Sequence, residues 1–253
     1  MNNNLYLFDV DGTIAESGEQ ITDKMKDILL KIGSYNEIGI VGGGKLDKIL
    51  WQLRDVKFKH YFTECGCIYN KYYNNSDTYI EIYKKNIREH PLYNEINKLI
   101  KIALQFLSNV EYTLTGNFID LRSGLIYISL IGMSANESER KRFITLDNSN
   151  NYRKRLLDLL FKEALKLNIW NKIHIVYGGS VGIAIYPSEY DKKQIMEHIN
   201  INNYNEIHYF GDKYENNGND FNLLNHSKVI GHKINKVEDT YNYLYKLNGH
   251  NFS

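Results

Sequence analysis

The chain has few of the residues that stiffen or cross-link a fold. Of its 253 residues only two are proline and two are cysteine. Cys65 and Cys67 flank Gly66, and no further cysteine and histidine set stands at ligand spacing. Ordinary thiols in a reducing compartment are therefore preferred to a metal or redox pair. Net charge is equally scarce. Thirty-one Lys and Arg against 30 Asp and Glu leave +1 at pH 7, which gives no reason to expect a general nucleic-acid or anionic-membrane binder. No apolar run approaches the roughly 20 residues that span a bilayer. The opening "MNNN" has neither the basic nor the apolar region of a signal peptide, so a cytoplasmic location is the expectation. Asn and Tyr are abundant, and "YNKYYNN" (69–75) and "LDNSNNY" (146–152) read as compositional drift in loops.

What is present is periodicity of two kinds. "LYLF" is a short apolar run ended by Asp and Gly, a buried-strand pattern. Thr22 can then cap a helix whose Met25, Ile28, Leu29 and Ile32 form one stripe. "EIGIV" (37–41) is a second strand, closed by "GGG" (42–44), and a helix over about 46–53 follows. This rhythm predicts βαβ units and a parallel sheet. In the middle, a long amphipathic helix (93–107) precedes two strands joined at Arg122–Ser123–Gly124, a helix over about 152–167, and the strands "KIHIVY" and "VGIAIYP". Hairpins with helices predict an antiparallel α+β unit. After Pro187 the first rhythm resumes: a helix at about 192–199, the strand "EIHYF" (206–210), a strand "KVIGH" and a last helix. The expected fold is α/β: a parallel-sheet core at 1–83 and 188–253, interrupted by an α+β cap at 84–187.

Ligands of an open parallel sheet bind beyond the carboxyl ends of its strands. Asp9 and Asp11 stand at one such end and Asp212 at another, with Asp220 in the same loop as Asp212. Any one of them alone reads best as a cap or turn residue. Together they would repel strongly unless a hard divalent cation such as Mg²⁺ joined them, and that cation would also neutralise an incoming phosphoryl group. Lys192 or Lys193 of "YDKKQI" could supply a fixed positive charge beside them.

"FDVDGT" (8–13) resembles the first signature of the haloacid dehalogenase superfamily, and "GDKYENNGND" (211–220) resembles its metal-binding motif. Over nearly the whole chain the similarity extends to eukaryotic-type phosphomannomutases. It is carried by "IGIVGG", "GNFIDLRSGLIYISLIG", "ESERKRF", "YDKK" and "VEDT" as well. The resemblance implies a Rossmannoid core with an inserted cap that closes over the site, and homodimers formed through the caps. It implies Asp9 as the phosphorylated nucleophile, Asp11 as its proton partner and Lys192 as the motif lysine. Mg²⁺ would be held by Asp9, the Asp11 carbonyl, and Asp212 or Asp220. The substrate would be a small sugar phosphate, with Arg122, Arg140, Gly43, Gly44 and Gly179 at substrate-binding positions and a hexose bisphosphate as activator.

Several substrate positions depart from the family pattern. Gly18 and Met133 stand where the family has arginines, Gly182 and Ala184 where it has a serine and an aspartate facing the sugar, and Gly44 where it has a phosphate-contacting Ser or Thr. Ser17, Lys45, Ser134 and Ser180 lie beside these positions and could compensate. Three readings follow. First is a phosphomannomutase interconverting mannose 6-phosphate and mannose 1-phosphate. Second is a Mg²⁺-dependent phosphatase of a sugar phosphate or other small phosphoester, and third a non-catalytic family member.

Overall fold

A computed structural model describes residues 3–216 and 218–249. The chain divides into two compact units, 1–85 with 190–253, and 86–189.

In the first unit, strand β1 (Leu5–Phe8) is an inner strand, third from one edge of a seven-stranded sheet. All four of its residues are buried because both faces are covered. Tyr6 and Phe8 enter one apolar cluster, and Leu5 and Leu7 enter the other. The chain leaves β1 through helix α1 (Asp23–Gly33), capped by the Thr22 hydroxyl, which accepts from Met25 N–H at 3.2 Å. Met25, Ile28, Leu29 and Ile32 are its buried stripe, as the spacing predicts. It returns as β2 (Glu37–Val41), parallel to β1, then runs through α2 (Leu46–Leu53) to β3 (His60–Thr63), parallel to β2.

The next segment corrects the loop reading of 69–75. Ile68–Tyr73 is strand β4 and Thr78–Lys84 is β5, an antiparallel extension of the sheet beyond β3. The tyrosines that look like drift are cross-strand partners. Phe62 stacks on Tyr69 with centroids 4.4 Å apart, and Tyr72 meets Tyr79 at 5.1 Å. Such aromatic pairs are a main source of sheet stability.

The second unit opens with α3 (Tyr93–Leu107) and continues through β6 (Ile119–Leu121) and β7 (Ile126–Ser129), which form the expected hairpin. Two helices follow where one is expected: α4 (Glu137–Asn150) and α5 (Tyr152–Lys166). The first has no apolar stripe, since only Phe143 and Asp147 are buried. What launches it is a reciprocal cap between Asn136 and Glu139. The loop reading of "LDNSNNY" is corrected too: 146–150 form the last turn of α4, Tyr152 begins α5, and only Asn151, left-handed at φ 54°, turns the corner between them. Strands β8 (Ile173–Gly178) and β9 (Gly182–Pro187) complete an antiparallel sheet ordered β6-β7-β9-β8.

Back in the first unit, Lys192–Glu197 forms a 3₁₀ turn rather than the expected α-helix. Strand β10 (Ile207–Gly211) pairs with β1 on the side opposite β2. A short α6 (Phe221–Leu224), β11 (Ile230–Lys233) and α7 (Val237–Gly249) follow. The chain thus departs from β1 in both directions, which opens a crevice at the carboxyl ends of β1 and β10. Among the described residues no helix is long and apolar enough to cross a membrane.

The β10–β11 pair carries an acid-sensitive joint. The buried rings of His208 and His232 meet through Nδ1 and Nε2 at 2.9 Å, and Tyr6 stacks on His208. Burial, then the His208 charge, pushes His232 down from 6.5 to about 4. The unfolded chain therefore takes up the proton first as pH falls. The contribution is present above 6.5 and is lost between 6.5 and about 4. Glu37, whose pKa lies lowered from 4.5 to about 2 by bonds from His60, Lys59 and Tyr204 that outweigh its burial, acts only in a lower window. Buried Asp9, raised to about 7, works in the opposite direction over the same interval. Between about pH 7 and about pH 5 the wild-type protein should therefore lose several degrees of thermal stability relative to His232→Gln, and a constant difference between the two would rule out the histidine pair.

Candidate active site

Asp9 continues β1, its N–H donating to the Phe210 carbonyl of β10 at 2.9 Å, so the sheet itself fixes the carboxylate. Lys192 reaches it from the 3₁₀ turn. With no exposed surface, its Nζ lies 2.6 Å from Asp9 Oδ1 and 2.6 Å from Asp220 Oδ1. Asp220 also accepts from the Tyr209 hydroxyl, and from Lys213 N–H at 2.9 Å. Burial pushes Asp9 up to about 7, opposed by Lys192 and reinforced by Asp220 and Asp212. Desolvation alone would lower Lys192, but the carboxylates of Asp220 and Asp9 outweigh it and hold it well above its usual value.

Asp212 completes the group. Carboxylate oxygens of Asp9, Asp212 and Asp220 lie within 4.8 Å of one another. Asp212 Oδ1 is buried without a hydrogen-bond partner, while Oδ2 pairs with Lys213. An orphaned anionic oxygen beside two further carboxylates suits a hard cation. Two glycines make the crowding possible. A Cβ on Gly12, at φ +86°, would stand 2.6 Å from Asp212 Oδ2, and one on Gly211 would stand 2.6 Å from the Asp220 carboxyl carbon. The Asp11 carboxylate does not join them. It is bonded to Lys48, Gln52 and Gly18 N–H, leaving only its carbonyl oxygen for a metal.

Of the glycines expected at substrate positions, Gly43 and Gly44 belong to this unit. A Cβ on Gly43 would sit 3.7 Å from Cys65 Sγ and 4.0 Å from Asn219 Nδ2, and one on Gly44 would sit 3.5 Å from the Lys48 stem. Both cysteines are free and buried, and burial raises Cys65 to about 11 and Cys67 to about 12. Neither is a thiolate nucleophile at neutral pH.

Arg122, Arg140 and Gly179 belong to the second unit. Arg122 Nε donates to Asp120 at 2.7 Å, and its guanidinium lies 5.1 Å from the centre of the Tyr127 ring. Arg140 donates to the carbonyls of Ala135 and Met133, at 3.1 and 3.4 Å. Gly179, at φ +59°, offers its carbonyl to Arg153 at 3.1 Å. Burial raises the Tyr127 hydroxyl, and the charges of Arg122, Arg140 and Arg153 oppose that rise. Sequence reasoning missed Tyr127 and Arg153 as well as Lys48 and Gln52. Only the last pair left a signal, being four apart on one helix.

Tyr127 also accounts for the small residues beneath it. It faces Ala184 across the ladder, and its hydroxyl donates to the Gly178 carbonyl at 3.0 Å. A Cβ on Gly182 would fall 2.4 Å from the ring, and one on Gly178 would fall 2.6 Å from it.

The core topology and the acidic cluster define a haloacid dehalogenase-type phosphoryl-transfer fold. A solved C. albicans trehalose-6-phosphate phosphatase C-terminal domain superposes with a TM-score of 0.62 at 15% identity, covering 98% of this chain and 93% of that one. A family model described as eukaryotic phosphomannomutase matches residues 25–248. Phosphomannomutase 1 of Dictyostelium discoideum is 30% identical over 250 residues, 97% of this chain and 96% of that protein. The phosphomannomutase of Saccharomyces cerevisiae is 30% identical over 247 residues, covering 96% and 93%. The chain belongs to the eukaryotic phosphomannomutase family.

Replacing Lys192 by Met would leave Asp9 and Asp220 buried without their cation. In metal-free buffer, denaturant unfolding should show a loss of about 3–5 kcal/mol. A loss below about 1 kcal/mol would mean the lysine does not organise the cluster. Gly182→Ser should cost about 1–3 kcal/mol by overpacking against Tyr127. Tyr127→Ala should relieve it in the double variant, so strictly additive unfolding energies would count against that contact.

Proposed function

We propose that this chain interconverts mannose 6-phosphate and mannose 1-phosphate through a phosphorylated aspartate. The observation that carries the reading is the buried Asp9–Lys192–Asp220 group with the unpartnered Asp212 oxygen beside it, in a member of this family. Asp9 is the nucleophile. A carboxylate oxygen forms a bond to phosphorus while the bond to the sugar oxygen breaks, giving an aspartyl-phosphate. Asp11 gives its proton to the departing sugar oxygen and later takes one from the attacking hydroxyl. Lys192 keeps the Asp9 carboxylate oriented and screens it from Asp220. Mg²⁺, bound by Asp9, the Asp11 carbonyl, Asp212 and Asp220, would offset the charge on the transferring phosphoryl group.

A mutase must also hold a second phosphate that does not react. Arg122 and Arg140 of the inserted unit are suited to it, since guanidinium groups bind phosphate bidentately. Gly43, Gly44 and Gly179 would allow close approach of backbone N–H groups to phosphate oxygens. A hexose bisphosphate would serve as activator by charging Asp9. The family resemblance supports a homodimer formed through the inserted unit and a cytoplasmic setting.

One observation favours the phosphatase as a second reading. Arg140 is engaged by two backbone carbonyls, and Met133 stands half-exposed where the family has another arginine. A weaker hold on the far phosphate lets water intercept the aspartyl-phosphate. Incubation with mannose 1-phosphate, Mg²⁺ and a hexose bisphosphate, followed by phosphorus NMR, separates the two. Mannose 6-phosphate is the expected product, and free phosphate alone would sink the mutase in favour of the phosphatase. Asp9→Asn should abolish both activities, and Asp11→Asn should slow turnover by roughly 10²–10⁴-fold. A fully active Asp9→Asn protein would overturn the nucleophile assignment.

A further inference from the structure

Two residues beyond the nucleophile, Asp11 keeps its carboxylate out of the acidic cluster, and three donors hold it there. Lys48 Nζ lies 2.8 Å from Oδ2, while Gln52 Nε2 and Gly18 N–H each donate to Oδ1 at 2.8 Å. Lys48 and Gln52 stand four apart on α2, so both project from one face of that helix. The helix is anchored by buried Ile49 and Leu53, and the nearly fully buried Gln52 has a second bond to the Glu19 carbonyl at 3.2 Å. A Cβ on Gly44 would stand in ordinary contact with the Lys48 stem, 3.5 Å from Cδ.

Fold stability does not explain this arrangement. The Lys48 and Asp11 side chains are 46% and 37% exposed, and a pair so exposed adds little to stability. A mechanistic reason is available. An unrestrained Asp11 could turn toward the neighbouring cluster and leave the position from which it reaches the sugar oxygen.

We propose that Lys48 and Gln52 are positioning residues for Asp11: a two-pronged clamp on α2 that fixes the proton-transfer carboxylate away from the acidic cluster. The inference rests on the roles of Asp9 and Asp11 set out above and adds two residues to them. The clamp matters only where the leaving oxygen needs a proton. When Asp9 attacks a sugar phosphate, the P–O bond breaks with its electron pair on an alkoxide that Asp11 must protonate. When Asp9 attacks p-nitrophenyl phosphate, the pair leaves on a stable phenolate without help.

The test compares single-turnover phosphorylation of the intact, Mg²⁺-loaded protein by mannose 1-phosphate and by p-nitrophenyl phosphate. Lys48→Met should slow the sugar phosphate about 10²-fold while changing nitrophenolate release by less than about threefold, and Lys48→Arg should recover most of the loss. Gln52→Leu should show the same split in weaker form. Equal slowing of both substrates in the Lys48 variants, or of neither, overturns the clamp. Wild-type protein that turns over nitrophenyl phosphate but not mannose 1-phosphate would end the mutase reading alone, and glycerol phosphate would then take the sugar's place in the same comparison. Wild-type protein inert toward all three would overturn the Asp9 assignment and the clamp with it.

Discussion

A lysine with no exposed surface lies between two carboxylates, and the acidic edge of the core depends on it. Lys192 joins three segments far apart in sequence: the end of β1, the 3₁₀ turn, and the loop after β10. At an effective dielectric near 20, opposite charges about 3 Å apart attract by on the order of 5 kcal/mol, which has to offset the desolvation of all three groups. That balance accounts for the residues around it. Tyr209 and Lys213 N–H complete the Asp220 carboxylate, and Gly12 and Gly211 leave the room that Asp212 and Asp220 fill. Lys192 and Lys213 leave the three carboxylates incompletely neutralised, and Asp212 keeps one unpartnered oxygen at the rim of a buried anionic group. The site is therefore fixed in geometry and unsatisfied in charge, a combination suited to a divalent cation and a phosphoryl group.

The parts of this structure that were legible in the sequence are those in which local pattern and burial agree. "LYLF" supplies both faces of a covered strand, Thr22 caps a helix with a clean stripe, and the two acidic clusters each end an apolar run. Where signals come from tertiary partners, the sequence is silent or misleading. The tyrosines of β4 and β5 look like low-complexity drift because their meaning lies in partners on other strands. Helix α4 has no stripe because it buries only two side chains, and its one clear signal is the Asn136–Glu139 cap. The carboxylates could be paired from spacing within "DVD" and "GDKYENNGND". The grip of Lys48 and Gln52 on Asp11 could not, since it depends on how α2 is seated beside the β1 loop.

The inserted unit shows why a missing residue is not the same as a lost function. Read singly, Gly182 and Ala184 are deletions of polar groups. Read with Tyr127 they are one packing solution, since a ring over that part of the sheet requires small residues at 178, 182 and 184. The ring brings its own polar end, a hydroxyl bonded to the Gly178 carbonyl, with the Arg122 guanidinium 5.1 Å from the ring centre. A side chain on Gly182 could return only if the ring moved, so these positions change together rather than one at a time.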